Sequence, residues 1–165
     1  MTAARILKAQ PLTRDAFRPF GDVIQEEGTE NYTINDGNTL RIHDLCVVDP
    51  GEGGRVLVNF FHALDAITLP YRPLLLECHP LGSQAFIPKE SAQFLIVVAP
   101  QGRKPNLDRI QAFVTDGLQG VNYAPGVWHL PLCSFTKASF VVVDRGGPGK
   151  NLREHKLSSE EIVIE

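Results

Sequence analysis

Short runs of β-branched and aromatic residues recur at near-regular spacing along this chain, and proline, glycine or Asp-Gly turns separate them. Residues 55–61, 83–87, 94–99, 110–114 and 139–143 are such runs, and 74–79 is another that resumes after a Leu-Pro-Tyr-Arg-Pro break. Residues 40–45 alternate apolar and polar, as a half-buried strand does. Pro88, Pro100-Gln-Gly102, Asp116-Gly117 and Arg145-Gly-Gly147 stand between the runs as turns, and 49–54 is a loop. The pattern predicts an all-β chain, a β-barrel or jelly roll with few short helices. One helical turn is expected near 11–17, capped by Thr13. Residues 31–36 read as a polar turn, and Ser158-Ser-Glu-Glu161 as a capped helix start or a tail. No repeat, linker or low-complexity stretch divides the chain, so residues 1–165 are expected to form a single domain.

Composition narrows the function. A chain of 165 residues with 43% hydrophobic and 21% charged residues can bury its own core. The net charge of -3, with lysines and arginines scattered, gives no footing for nucleic acid or an anionic membrane. The start of the chain has no apolar stretch long enough for a signal peptide, and no run reaches transmembrane length. Three cysteines, Cys46, Cys78 and Cys133, show no CxxC spacing, which argues against a disulfide framework or zinc finger. They read as small buried hydrophobes of a protein in a reducing cytoplasm.

The densest chemistry lies at 120–129. Pro125 presets φ and Gly126 supplies a positive one, so the chain should reverse there and send Val127, His129 and Pro131 to one face. Upstream, Glu77 and His79 sit two residues apart and share a strand face, and Gln84 follows across a Pro-Leu-Gly turn. Two imidazoles, a carboxylate and an amide would suit a divalent metal, or proton transfer without one. Trp128 is expected in the core with its indole N–H seeking one partner. Asn122 and Tyr123 either line the pocket or shape the turn.

These strings resemble the cupin superfamily. Glu77-x-His79-x4-Gln84 keeps the register of the first cupin motif, with Glu in place of its first histidine and Gln in place of its acid. Pro125, Gly126 and His129 match the second motif. Within the superfamily, residues 79–88, 120–123, 127–132 and 144–147 resemble the ureidoglycolate lyases of allantoin degradation. Further matches lie at 17–24 and at Arg41-x-His43-Asp44-Leu45. The resemblance implies cleavage of the C–N bond of (S)-ureidoglycolate to glyoxylate and urea. It also implies a homodimer and a metal that is not obligatory, nickel (Ni2+) or another divalent ion.

On this reading His79 and His129 are the acid–base candidates, and Glu77, His79, Gln84 and His129 are the ligands if a metal is bound. The substrate carboxylate needs a cation, for which Arg41 and Arg145 are candidates and Lys89 a third. His43 and Gln84 join them as substrate-binding candidates. No Gly-x-Ser-x-Gly elbow or Cys–His pattern is present, consistent with a lyase that needs no hydrolytic nucleophile. Two alternatives stand beside it: a metal-dependent cupin oxygenase or isomerase, and a cupin that binds a small molecule without turnover.

Overall fold

The computed structural model describes residues 4–165 as two facing β-sheets with two small two-stranded additions. The larger sheet runs, in spatial order, Arg153–Lys156, Leu75–Cys78, Trp128–His129, Phe94–Ala99, Gln111–Val114 and Gln10–Pro11, and Cys133–Ser134 also pairs with Phe94–Ala99. The second sheet runs Gly21–Ile24, Gly120–Tyr123, Gln84–Pro88, Ala138–Gly146 and Arg55–Ala63, all antiparallel. Arg5–Leu7 pairs in parallel with Ile162–Ile164, and Asn31–Ile34 makes a hairpin with Thr39–Ile42. The architecture is all-β, as expected.

The pleat explains how one short strand can serve two cores. Phe94, Ile96 and Val98 project between the sheets, while Leu95, Val97 and Ala99 project to the opposite face. The inter-sheet core is aromatic. Phe17, Phe20, Phe86, Phe113, Tyr123 and Phe140 meet there, with Phe94 and Phe140 edge to face at 5.3 Å across the sheets. The second core, on the back of the larger sheet, joins Leu76, Cys78, Trp128 and Leu130 to Ile162 and Ile164. Trp128 donates its indole N–H to the Gly102 carbonyl at 3.1 Å.

The predicted helical turn is the helix Arg14–Phe17, with Thr13 Oγ1 accepting from the Ala16 amide. Its role is to lower Phe17, fully buried, onto the inter-sheet core.

Four sequence expectations are corrected. Residues 31–34 form a strand, because they pair with Thr39–Ile42 and not because of their own polarity. Gly146 lies within a strand, since Ala138–Gly146 pairs along its length with Arg55–Ala63 and holds what reads locally as a turn. Ser158–Glu161 starts no helix: Glu161 is followed by the strand Ile162–Ile164, whose apolar side chains complete the back core. Of the cysteines only Cys78 is buried; Cys46 and Cys133 are half-buried, and all are free thiols.

Phe140 fills the centre of the inter-sheet core with no exposure. Phe140→Ala is expected to destabilise the protein by about 3–5 kcal/mol in urea unfolding. A loss below about 1 kcal/mol would mean that the two sheets do not share that core.

Candidate active site

Glu77 and His129 are directly opposite each other on adjacent strands of the larger sheet. Their neighbours Leu76, Cys78, Trp128 and Leu130 fill the back core, so alternation turns both polar side chains inward, between the sheets. The Pro125-Gly126 turn sets that parity: Gly126 has φ +80°, and the Val127 amide closes the turn on the Ala124 carbonyl at 3.2 Å. His79 follows the end of the Leu75–Cys78 strand, and Gln84 reaches in from the opposing sheet.

The four side chains converge. His129 Nε2 lies 3.4 Å from Glu77 Oε1 and 3.2 Å from Gln84 Oε1. His79 Nε2 lies 3.8 Å from the same carboxylate oxygen, and the two imidazole centroids are 5.3 Å apart. Each ring is held from behind. His79 Nδ1 donates to the Asn151 carbonyl at 2.8 Å and His129 Nδ1 to the Val127 carbonyl at 3.2 Å. Tyr123 stacks on His129 with centroids 4.1 Å apart and planes 10° from parallel, which fixes the ring plane. Glu77 and His79 keep 19% and 17% of their side chains exposed, whereas His129 keeps 1%. Solvent therefore meets Glu77 and His79 first, with His129 beneath them.

The electrostatics follow from that depth. Burial alone would raise the Glu77 carboxyl, but hydrogen bonds and charge from His129 and His79 outweigh it and hold it at about 2. At His129 burial prevails, and its pKa falls below the usual histidine range despite Glu77. At His79 burial is outweighed by Glu77, the Asn151 carbonyl and the charge of Asp144, so its pKa rises. The outer ring, His79, is thus the more basic of the two.

The donor set fits a divalent metal. One atom from each of Glu77, His79 and His129 lies within 4.8 Å of the others. His79 Nε2 is buried with no hydrogen-bond partner, a ring nitrogen left facing that spot. Both histidines donate their other ring nitrogen to a backbone carbonyl, the usual posture of a metal-bound imidazole.

The remaining candidates lie elsewhere. Arg145 directs its guanidinium to the carbonyls of Pro50, Glu52 and Pro148, bracing the 49–54 loop. Lys89 Nζ stands 4.3 Å over the Phe60 ring on the outward face of the five-stranded sheet. Arg41 is exposed over Tyr32 at 5.8 Å, and His43 packs against the same ring. Their hairpin covers that outward face, where Leu40, Ile42 and Leu45 line a cavity of about 780 Å³ with Ile24 and Ile87. No hydrogen bond or ion pair joins Arg41 or His43 to the cluster among the described residues.

Two residues behind Gln84 escaped sequence reasoning. Asn59 donates to Asp144 Oδ1 at 3.0 Å, and Asp144 accepts from Gln84 at 3.4 Å. Alternation would have found both: Asn59 shares a face with the core-facing Phe61, and Asp144 with Val142. Arg55 lies on that same face of its strand, cross-strand from Gly146 at the open end of the sheet.

Three comparisons bear on what this arrangement is. A family model described as Ureidoglycolate lyase matches residues 4–165. Ureidoglycolate lyase of Burkholderia mallei (strain NCTC 10229) is 53% identical over 157 residues, covering 93% of this chain and 90% of that protein. Ureidoglycolate lyase of Pseudomonas putida (strain W619) is 46% identical over 162 residues, covering 97% and 96%. Among solved structures, a dTDP sugar isomerase from Desulfovibrio desulfuricans G20 superposes with TM-score 0.44 at 15% identity, over 86% of this chain and 87% of that one.

The depressed Glu77 carboxyl has a signature in stability. A carboxyl lowered on folding stabilises above its unfolded value of 4.5, and that stabilisation is lost as pH falls through the folded value near 2. With a chelator present, Glu77→Gln should cost about 2 kcal/mol in urea unfolding near neutral pH, after allowance for solvent screening. The difference from wild type should close as pH falls from 4.5 toward 2. A pH-independent difference would mean that the histidines do not hold the carboxylate.

Proposed function

The chain belongs to the ureidoglycolate lyase family, and on that premise we propose that it cleaves (S)-ureidoglycolate to glyoxylate and urea at the Glu77–His79–Gln84–His129 cluster. As a lyase of ureidoglycolate it acts in allantoin and purine breakdown. The observation that carries the siting is the convergence of two back-tethered imidazoles, one sealed and one half-buried, on one carboxylate between the sheets.

The reaction moves one proton from oxygen to nitrogen. As the hydroxyl proton leaves, its oxygen forms the carbonyl of glyoxylate. The C–N bond breaks with its electron pair going to the urea nitrogen, which takes up a proton. His79, the exposed and more basic ring, is the acid that protonates the departing nitrogen. His129, kept neutral by burial, is the base to which the hydroxyl proton passes, relayed by the ionised Glu77 carboxylate that separates it from the accessible edge. No water is consumed. Glu77, His79, Gln84 and His129 would hold a divalent ion, nickel or another, which when bound supplies a Lewis acid that polarises the hydroxyl oxygen. Gln84, neutral, is the weakest of these donors.

The substrate carboxylate calls for a cation. Arg55 suits this better than Arg145, whose donors already serve three carbonyls, because its strand face is the one that carries Asn59 toward the cluster. Arg55→Ala is expected to raise KM by roughly tenfold or more with a smaller change in kcat. An unchanged KM would return the role to Arg41, Arg145 or Lys89.

The chain also suits a homodimer. Arg55–Ala63 is an edge strand, hydrogen-bonded on one side only, and its outward Val58 and Phe60 are 68% and 61% exposed. A second copy covering this face removes both liabilities. In light scattering after gel filtration, wild type is expected at twice the chain mass and Phe60→Glu at or near the monomer. A dimer indifferent to that charge would place the interface elsewhere. Free thiols at Cys46, Cys78 and Cys133 suit the reducing cytoplasm.

The deciding assay is product analysis on racemic ureidoglycolate, corrected for spontaneous decay. Glyoxylate and urea should rise together and stop at half the racemate, with no ammonia. His79→Ala should lower kcat by roughly a hundredfold or more with the fold intact. Full activity in that variant would remove His79 from the chemistry.

A further inference from the structure

Asp144 lies two residues beyond Val142 on the Ala138–Gly146 strand, and the pleat turns both toward the opposing sheet. Its carboxylate meets two side-chain amides at once. Asn59 Nδ2 donates to Oδ1 at 3.0 Å, and Gln84 Nε2 donates to Oδ2 at 3.4 Å. A carboxylate can only accept, so each amide must turn its NH2 end toward Asp144. For Gln84 this leaves one outcome at the other end of the side chain. Its carbonyl oxygen faces His129 Nε2 at 3.2 Å, beside the Glu77 oxygen at 3.4 Å.

The two ends of an amide are nearly equal in size, so packing alone does not choose between them; the hydrogen-bond partners do. With the oxygen inward, two acceptors converge on one imidazole nitrogen and create a spot that favours a proton or a cation. With NH2 inward, a donor would compete with the imidazole for the Glu77 carboxylate. We infer that Asp144 is a positioning residue of the lyase centre, which through Gln84 keeps a carbonyl oxygen rather than an amide N–H facing the Glu77–His79–His129 cluster. Asn59 holds the other carboxylate oxygen and thereby fixes the plane of the group. The inference rests on the reading of this cluster as the site of cleavage.

Asp144→Asn tests it with almost no change of shape. Asn59 continues to donate to the single remaining oxygen, so the new NH2 faces Gln84 and demands its carbonyl, turning the amide round. A second change restores the original polarity. In the double variant Gln84→Glu/Asp144→Asn, the introduced amide donates to one oxygen of the introduced carboxylate, and the other oxygen faces the cluster. Asp144→Asn is expected to lose roughly ten- to a hundredfold in kcat/KM and similarly in Ni2+ affinity by titration calorimetry, with an unchanged unfolding midpoint. In the chelated protein the His129 side-chain 15N resonances should shift, and the double variant should recover most of the lost activity and affinity. Wild-type kinetics, Ni2+ affinity and His129 resonances in Asp144→Asn would overturn the inference, as would a double variant no better than the single. His79→Ala and Glu77→Gln run alongside separate the two levels. If they are inactive while Asp144→Asn is active, only the role of Asp144 fails; if they too are fully active, the siting of the reaction fails.

Discussion

The interaction on which the rest depends is the cross-strand pairing of Glu77 with His129. A carboxylate and an imidazole are brought face to face between two sheets, the imidazole sealed from water and the carboxylate open along one edge. Such a pair persists in an apolar interior only if every lone pair and proton is accounted for. Here the accounting closes at each member except His79 Nε2, which is left facing the shared spot. His129 is tethered by the Val127 carbonyl and stacked on Tyr123, Gln84 closes the other side, and the Glu77 oxygen that meets His129 also faces His79. Remove one member and a neighbour is left buried without a partner, which is the expensive outcome for a polar network.

Two sheets are needed to build this centre. The larger sheet contributes Glu77 and His129, and the smaller contributes Gln84, Tyr123, Asp144 and Asn59. The aromatic core that joins the sheets is therefore also what sets the distances in the site. Phe86 shows the coupling directly, since it touches both Phe61, two residues from Asn59 in sequence, and Tyr123, which carries the stacked imidazole. Depth divides the labour. Glu77 and His79 stand at the accessible edge, and the fully sealed His129 serves them from below.

What could be read from the residues, and what could not, divides along a physical line. The Thr13 cap, the Pro125-Gly126 reversal and the strand Phe94–Ala99 are local, and local propensity and turn geometry suffice to place them. Glu77, His79, Gln84 and His129 were legible because period-two alternation and one turn assign their faces. Asn31–Ile34 was not, because its polar residues become a strand only by closing a hairpin on Thr39–Ile42, nor was Ile162–Ile164, whose partner Arg5–Leu7 lies at the other end of the chain. Arg145 could be read as a carboxylate partner or as a brace for its loop, and the carbonyls its guanidinium meets come together only in the folded chain. Asp144 and Asn59 were overlooked for the opposite reason. Their types stood out less than their faces, and a face matters only once the opposing sheet is in place.

By itself the sequence determined an all-β chain, the reversal at Pro125-Gly126, and the identity of the four polar residues turned inward. Those properties follow from single-residue conformational preference and from the two-residue period of a strand, which need no distant partner. The tertiary structure decided which sheet each strand joined, which ring is sealed and which is open, and which cations were already engaged. It also decided that Asp144 stands behind Gln84. These are matters of register and depth, set by which surfaces the two sheets bury against each other, and no span of sequence carries that information alone.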